Sequence, residues 1–213
     1  MNLGNIMIFG DSYSTYEGYI PKGYDVYYSG KRVNPPDVSD PKLTWWGRVI
    51  DATGATLVQN NSWSGSTIGY TGYNNTDCSR TSSFICRFEK LLAEGFFKEN
   101  KIDTLFVFGG TNDSWCEAPL GEDKTEAVED KDFFCVLPAI RHFAKRVCEE
   151  LPDTKVIFIG NCDIKPEVTG ALEAACDRHG FTYVGLYGID KLNGHPTELG
   201  MAQICEQIIE KIK

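Results

Sequence analysis

Basic residues are few for the number of acidic ones. Lys and Arg total 21 against 30 Asp and Glu, a net charge of −9. Such an excess repels phosphate backbones and anionic lipid, so nucleic acid and membrane surfaces are not expected partners. No apolar run approaches the roughly 20 residues that a membrane span needs. The opening Met1-Asn2-Leu3-Gly4-Asn5 has no basic n-region. The apolar run Ile6 to Phe9 is too short for the core of a signal peptide, so the expectation is a cytoplasmic protein. There is no low-complexity tract, no internal repeat and no Cys-x-x-Cys pair, and without such a pair a zinc site is not expected. Eight cysteines are present in 213 residues. A chain of that size can build its own core, and in a reducing compartment its thiols stay free. Cys135, Cys148, Cys176 and Cys205 fall in helical patterns, where a free thiol serves as a small hydrophobe. Histidine is scarce: His142, His179 and His195 complete the set.

What is present fits one α/β domain over residues 1–213. Asn5–Phe9 reads as a buried strand. Residues 13–43, rich in Tyr, Gly and Pro, have no clear period and read as an irregular insertion. Thr44–Ala52 reads as a helix with Thr44 as N-cap and Gly54 beyond its end. Thr56–Asn60 follows as a strand and 61–81 as a loop. Ser82–Glu94 reads as a helix, Asp103–Phe108 as a central strand and 111–131 as an acidic loop. Asp132–Leu151 shows an apolar stripe at helical spacing. Lys155–Gly160 is a strand, Pro166–His179 a helix stopped by Gly180, Phe181–Leu186 a strand, Gly188–Pro196 a loop and Thr197–Ile212 a terminal helix. Alternation of this kind predicts a five-stranded parallel sheet between two layers of helices. Ligands of such sheets bind beyond the C-terminal strand ends, so the chemistry belongs in the loops there.

Four of these loops carry suggestive residues. Gly10-Asp11-Ser12-Tyr13-Ser14 follows the first strand and places Ser12 at the sheet's edge. The same tripeptide also suits an ordinary Asx turn. Ser62-Trp63-Ser64-Gly65 follows the second strand. Gly65 has no side chain to keep a substrate oxygen from its N–H, though loop glycines are common. Gly109-Gly110-Thr111-Asn112-Asp113 follows the central strand; the Asn112 amide is a neutral donor, or else a helix cap. Gly194-His195-Pro196-Thr197 precedes the last helix. His195 lies on no apolar stripe, whereas His142 falls in a helical pattern and His179 near a helix C-terminus, so His195 is the best candidate base.

In order and placement, Ser12 in GDS, Gly65 in SWSG, Asn112 in GGTND and His195 in GHPT resemble the four blocks of the SGNH (GDSL-type) hydrolases, over residues 5 to about 210. The resemblance implies a flavodoxin-like three-layer α/β/α sandwich and ester hydrolysis. Ser12 would be the nucleophile and His195 its base. The N–H groups of Ser12 and Gly65 and the Asn112 side chain would form the oxyanion hole. The family usually has an Asp three residues before the His; here Leu192 stands there. The nearest acid, Asp190, would complete a triad if the loop bulges. Otherwise a backbone carbonyl or water orients the ring.

The implied mechanism is two-step acyl transfer and calls for no metal or organic cofactor. Trp63 and Trp115 lie beside Gly65 and Asn112, and Tyr13 follows Ser12. Aromatic faces near a polar site suit sugar rings, so a small acyl ester of a carbohydrate is the expected substrate. Packing is the alternative role for these aromatics. Two other functions share the fold. A catalytically silent carbohydrate-binding homologue is left open by the missing Asp. A flavodoxin-like flavin carrier is disfavoured because 12–16 lacks the glycine of a phosphate loop and Asp11 would repel phosphate.

Overall fold

The computed structural model describes residues 2–30, 37–123 and 129–213. Five parallel strands form its sheet: β1 (Asn5–Gly10), β2 (Thr56–Ser62), β3 (Thr104–Phe108), β4 (Lys155–Gly160) and β5 (Thr182–Gly185). Their order is β2-β1-β3-β4-β5. Progression runs one way from β1 to β2 and the other way from β3 onward. The strand order therefore reverses beside β1, which opens a crevice at the C-terminal ends of β1 and β3.

Strand residues alternate between two apolar layers, as a period of two requires. Met7, Phe9, Leu105, Val107, Val156 and Phe158 face one way. That face is covered by α2 (Phe84–Ala93), α5 (Val136–Glu150) and α6 (Pro166–His179). Ile6, Ile8, Phe106, Phe108, Ile157 and Ile159 face the other way, under α1 (Trp45–Thr53) and α7 (Glu198–Ile212). The caps follow the chemistry of the sequence. Thr44 Oγ1 accepts from Gly47 N at 3.0 Å, and Ser83 Oγ from Cys86 N at 3.1 Å. The Thr197 hydroxyl does the same for Gly200 N at 3.2 Å.

Several expectations need correction. The helix expected from Asp132 begins at Val136. Asp130–Phe134 is a separate 3-10 turn and Cys135 is extended (φ −110°, ψ 144°). Pro138 explains the break: its ring would clash with the carbonyl four residues earlier, so it is tolerated only in a first turn. The short helices α3 (Phe96–Glu99) and α4 (Thr111–Trp115) lie where no helix was expected. The second half of the Gly188–Pro196 loop is a hairpin of β6 (Lys191–Leu192) and β7 (His195–Pro196), antiparallel, with Leu192 opposite His195. Asn193 and Gly194 turn it at φ 52° and 79°, the Asn-Gly signature of a two-residue hairpin. The described parts of the 13–43 insertion carry one regular element, a 3-10 turn at Pro41–Leu43. Residues 31–36 of that insertion and 124–128 of the acidic loop lie outside the described residues. No helix among the described residues is long and apolar enough to cross a membrane.

One buried charge holds the strand ends together. Arg87, on α2, is 1% exposed. Its guanidinium donates to the carbonyl of Asn61, to Asn61 Oδ1 at 2.7 Å, and to the Gly10 carbonyl and Ser66 Oγ, each at 3.2 Å. The rings of Phe9 and Phe84 each lie 4.6 Å from its carbon centre. Arg87→Met keeps the stem but takes a donor from the Asn61 and Ser82 carbonyls and from Asn61 Oδ1, while the Gly10 carbonyl keeps the Trp63 N–H. Each such group costs about 1–3 kcal/mol, offset in part by the relief of burying no charge. The expected net loss is about 2–4 kcal/mol in urea unfolding. Arg87→Lys should recover little of it, because one ammonium cannot span this fork of acceptors. A Met variant as stable as the parent would refute this account.

Candidate active site

The crevice receives one loop from each of three neighbouring strands and the hairpin from the far side. Ser12 follows β1 and is 4% exposed. Its turn is tight: Ser14 N donates to Asp11 O at 3.1 Å, and Tyr13 N to Asp11 Oδ1 at 3.0 Å. His195 Nε2 lies 2.9 Å from Ser12 Oγ. His195 Nδ1 lies 3.3 Å from the Asn193 carbonyl oxygen, at the long end of hydrogen-bond distance. A carbonyl can only accept, so this contact puts the proton on Nδ1 and leaves the Nε2 lone pair facing the Ser12 hydroxyl.

Asp190 is not the residue at Nδ1. Its carboxylate accepts from the Thr197 hydroxyl, its N–H donates to Gln203 Oε1 at 2.7 Å, and its carbonyl accepts from Thr197 N at 3.1 Å. The acid thus secures the entry to α7. The bulge that would bring it to His195 does not form, because Lys191 and Leu192 are drawn into β6.

Gly65 sits in the left-handed region (φ 79°) with open space where a Cβ would point. A side chain there would be strained and would project into the crevice. Among the described residues no protein acceptor takes the N–H of Ser12 or of Gly65. Asn112, on α4, donates from Nδ2 to the Ser66 carbonyl at 2.9 Å, and its Oδ1 accepts from Tyr73 OH at 2.9 Å. The amide is therefore fixed in one sense, with a second N–H to spare. Asp113 pins the Gly65 loop from behind: its carboxylate accepts from Ile68 N at 2.9 Å and Gly69 N at 3.1 Å.

The aromatic residues divide. Tyr13 is fully buried and its hydroxyl donates to the Gly194 carbonyl at 2.5 Å. It therefore presents no face to a ligand and instead ties the hairpin turn to the nucleophile's loop. Trp63 has Tyr24 stacked on it at 4.2 Å, and its Nε1 donates to Asp25 at 3.1 Å. Trp115 meets His195 edge-on at 6.3 Å and donates to the Asp163 carbonyl at 3.3 Å. Arg87, Asp113, Tyr73 and Tyr27 belong to the site's framework and were not anticipated. Arg87 had a visible signal, since it falls on the apolar stripe of α2 between Phe84 and Leu91.

Two carboxyls lie in the floor. Burial raises Asp11 to about 7; the Tyr13 N–H, the Thr111 hydroxyl and Arg87 offset part of that, while Asp113 adds to it. Burial raises Asp113 to about 6 against its backbone donors. Burial lowers Arg87 to about 9. Among the described residues no group of three His, Cys, Asp or Glu is placed to hold a metal ion, and all eight cysteines are free.

Comparison with known proteins agrees with the fold. The model of the family described as GDSL-like lipase/acylhydrolase matches residues 4–212. No curated protein matches the chain. The structure is similar to that of a candidate GDSL-like lipase from Bacteroides ovatus ATCC 8483: 37% identity over 100% of this chain and 99% of that one, TM-score 0.91. A candidate GDSL-like lipase from Bacteroides uniformis ATCC 8492 is 34% identical over 98% of this chain and 95% of that one, TM-score 0.89. A family two carbohydrate esterase from Cellvibrio japonicus is 12% identical, covering 100% of this chain and 61% of that one, TM-score 0.65. That last likeness is one of fold alone.

The raised Asp11 makes a pH-dependent prediction. Its folded value, about 7, exceeds the ordinary 3.8. The stability that its protonated form contributes is complete below 3.8 and is lost as pH rises through 7. Asp11→Asn keeps an acceptor for Tyr13 N and cannot ionise. Relative to the parent it should gain on the order of 2–4 kcal/mol between pH 4 and pH 8. Urea unfolding at the two pH values measures this; a difference that does not change with pH would count against it.

Proposed function

The chain belongs to the GDSL-like lipase/acylhydrolase family, a membership that supports an esterase, and from that premise we propose a serine esterase that removes a small acyl group from a carbohydrate ester. The observation that carries the reading is the 2.9 Å contact between Ser12 Oγ and His195 Nε2 at the head of the crevice. His195 takes the Ser12 proton as the oxygen attacks the acyl carbonyl. The oxyanion forms where the N–H groups of Ser12 and Gly65 and the second Asn112 amide N–H can converge on it. The imidazolium then protonates the leaving alcohol. Water, deprotonated by the same ring, releases the acid and restores Ser12.

Orientation of the base falls to the Asn193 carbonyl, so the unit is a Ser-His dyad rather than a triad through Asp190. The substrate class rests on the surroundings. Tyr27, Tyr73 and Trp115 stand near the dyad and Asn112, an aromatic rim rather than an aliphatic cradle. Such a rim suits a short acyl group on a sugar, and the Cellvibrio japonicus protein of the same fold is named a carbohydrate esterase.

A screen of acetyl, butyryl and octanoyl esters, including acetylated sugars, tests the reading. The shortest acyl group should be cleaved best. Ser12→Ala should lower turnover on the order of 10⁶-fold while leaving the protein folded. Turnover close to the parent's would send the nucleophile elsewhere, and failure of a fluorophosphonate to label Ser12 would favour a silent binding homologue.

Two further substitutions separate the parts. Asn112→Ala should reduce kcat about 10²–10³-fold with a smaller change in KM, as loss of one oxyanion donor does. Asp190→Asn should stay within about tenfold of the parent, since a dyad does not use it. A loss near 10⁴-fold in Asp190→Asn, as when the tautomer is lost, would restore the triad.

A further inference from the structure

Leu192 stands three residues before His195, where the resemblance led to an Asp, and the ring is held by more than the Asn193 carbonyl. Tyr27 lies flat on it: the ring centres are 3.6 Å apart and the planes 8° from parallel. For two neutral rings such a face-to-face stack is the least favourable arrangement, because the quadrupoles repel. For a cation over a π face it is a favourable one. The geometry therefore suits the imidazolium better than the imidazole.

The stack is built in rather than incidental. Thr15 Oγ1 donates to the Ser12 carbonyl at 3.1 Å and accepts from Tyr27 N at 2.9 Å. One hydroxyl thereby registers Tyr27 against the nucleophile's turn. The next residue, Tyr28, is 1% exposed and donates from its hydroxyl to the Pro196 carbonyl at 2.9 Å. That bond registers the same stretch against the residue following His195. Tyr27 is thus fixed from both sides, at Ser12 and at His195.

We propose that Tyr27 is a positioning residue that holds the His195 ring and, through its π face, favours the imidazolium formed when Ser12 gives up its proton. The inference rests on the serine-esterase reading above and adds to it a group that faces the ring of the base. It predicts that the face of the ring matters and its hydroxyl does not.

The test is the rate at which a fluorophosphonate phosphonylates Ser12, resolved into a binding constant and a bond-forming rate constant. Tyr27→Leu should lower the bond-forming constant about tenfold, with binding within about twofold. Tyr27→Phe should restore the rate to within about twofold of the parent. A series of fluorinated phenylalanines at position 27 keeps the shape while draining the π face. The rate should fall steadily along it, and this arm remains informative if the Leu variant unfolds. A flat fluorine series, a Phe variant as slow as Leu, or a loss confined to the binding constant would overturn the inference. Those outcomes leave the serine-esterase reading intact, because the parent is labelled. A parent that is not labelled overturns that reading, and this inference with it.

Discussion

The buried guanidinium of Arg87 is the constraint on which the crevice depends. Three chain segments meet there: the end of β1 at Gly10, the paired end of β2 at Asn61, and the turn carrying Ser66. Each presents buried oxygen acceptors to the guanidinium, and the Gly10 carbonyl takes the Trp63 N–H as well. A planar group with five donors can serve all three at once. Ser12 follows the first segment by two residues, and Gly65 precedes Ser66 by one. The relative position of the candidate nucleophile and of the Gly65 N–H is thus set from beneath, by a side chain that itself stays out of the crevice. Asp113 completes the arrangement by holding Ile68 and Gly69 to α4, the helix that carries Asn112.

The histidine is positioned by a separate device, and its logic is that of a hairpin. A two-residue Asn-Gly turn reverses the chain so sharply that the carbonyl of Asn193 comes back under the ring of His195. Tyr13 then fastens the turn by donating to the next carbonyl, that of Gly194. Asn161 Nδ2 donates to the Tyr13 hydroxyl at 3.2 Å, and the Lys191 ammonium holds Asn161 Oδ1 at 2.9 Å. A carboxylate three residues upstream would be redundant for orientation here. Leu192 at that place sits opposite His195 in the ladder and is 40% exposed. What a neutral carbonyl lacks is charge to set against a cation, and the stacked Tyr27 supplies a partial substitute.

The sheet, its helices and the placement of Ser12, Gly65 and Asn112 after successive strands were legible in the sequence because each follows from short-range rules. Alternating apolar runs fix the strands. Thr44 and Gly54 mark the ends of α1. Ser12, Gly65 and Asn112 stand directly after strands, where a parallel sheet collects its ligands. The misses have a common physical origin. Tyr27 is brought to His195 across 168 residues by contacts that no local pattern encodes. Asp190 was favoured because it was near in sequence, whereas the Asn-Gly signal, equally near, already implied a hairpin that withdraws it. Tyr13 was read as a ligand platform, yet its burial and its bond to Gly194 make it a strut. Local spacing fixes where a loop begins; which way its side chains turn is decided by partners far along the chain.

The buried charges under the crevice remain to be reconciled with the chemistry above them. Arg87 is a buried cation that acts on Asp11, and Asp113 is a second buried carboxyl that acts on Asp11. One anion suffices to balance the cation; a second would be buried without a counterpart. Asp113 accepts several backbone N–H groups and is the better place for the negative charge. Asp11 accepts one, from Tyr13, and is raised further, to about 7. Burial therefore opposes ionisation of both acids, and the proton is held more firmly at Asp11 than at Asp113. That location has a consequence for the proposed reaction. Asp11 immediately precedes Ser12, whose N–H is one of the groups proposed to receive the oxyanion. A full negative charge there would oppose the charge growing on the substrate oxygen at short range and low dielectric. A protonated Asp11 keeps the turn-forming bond to Tyr13 and removes that opposition. On this argument the burial that makes Asp11 hard to ionise also keeps the oxyanion site free of a competing charge.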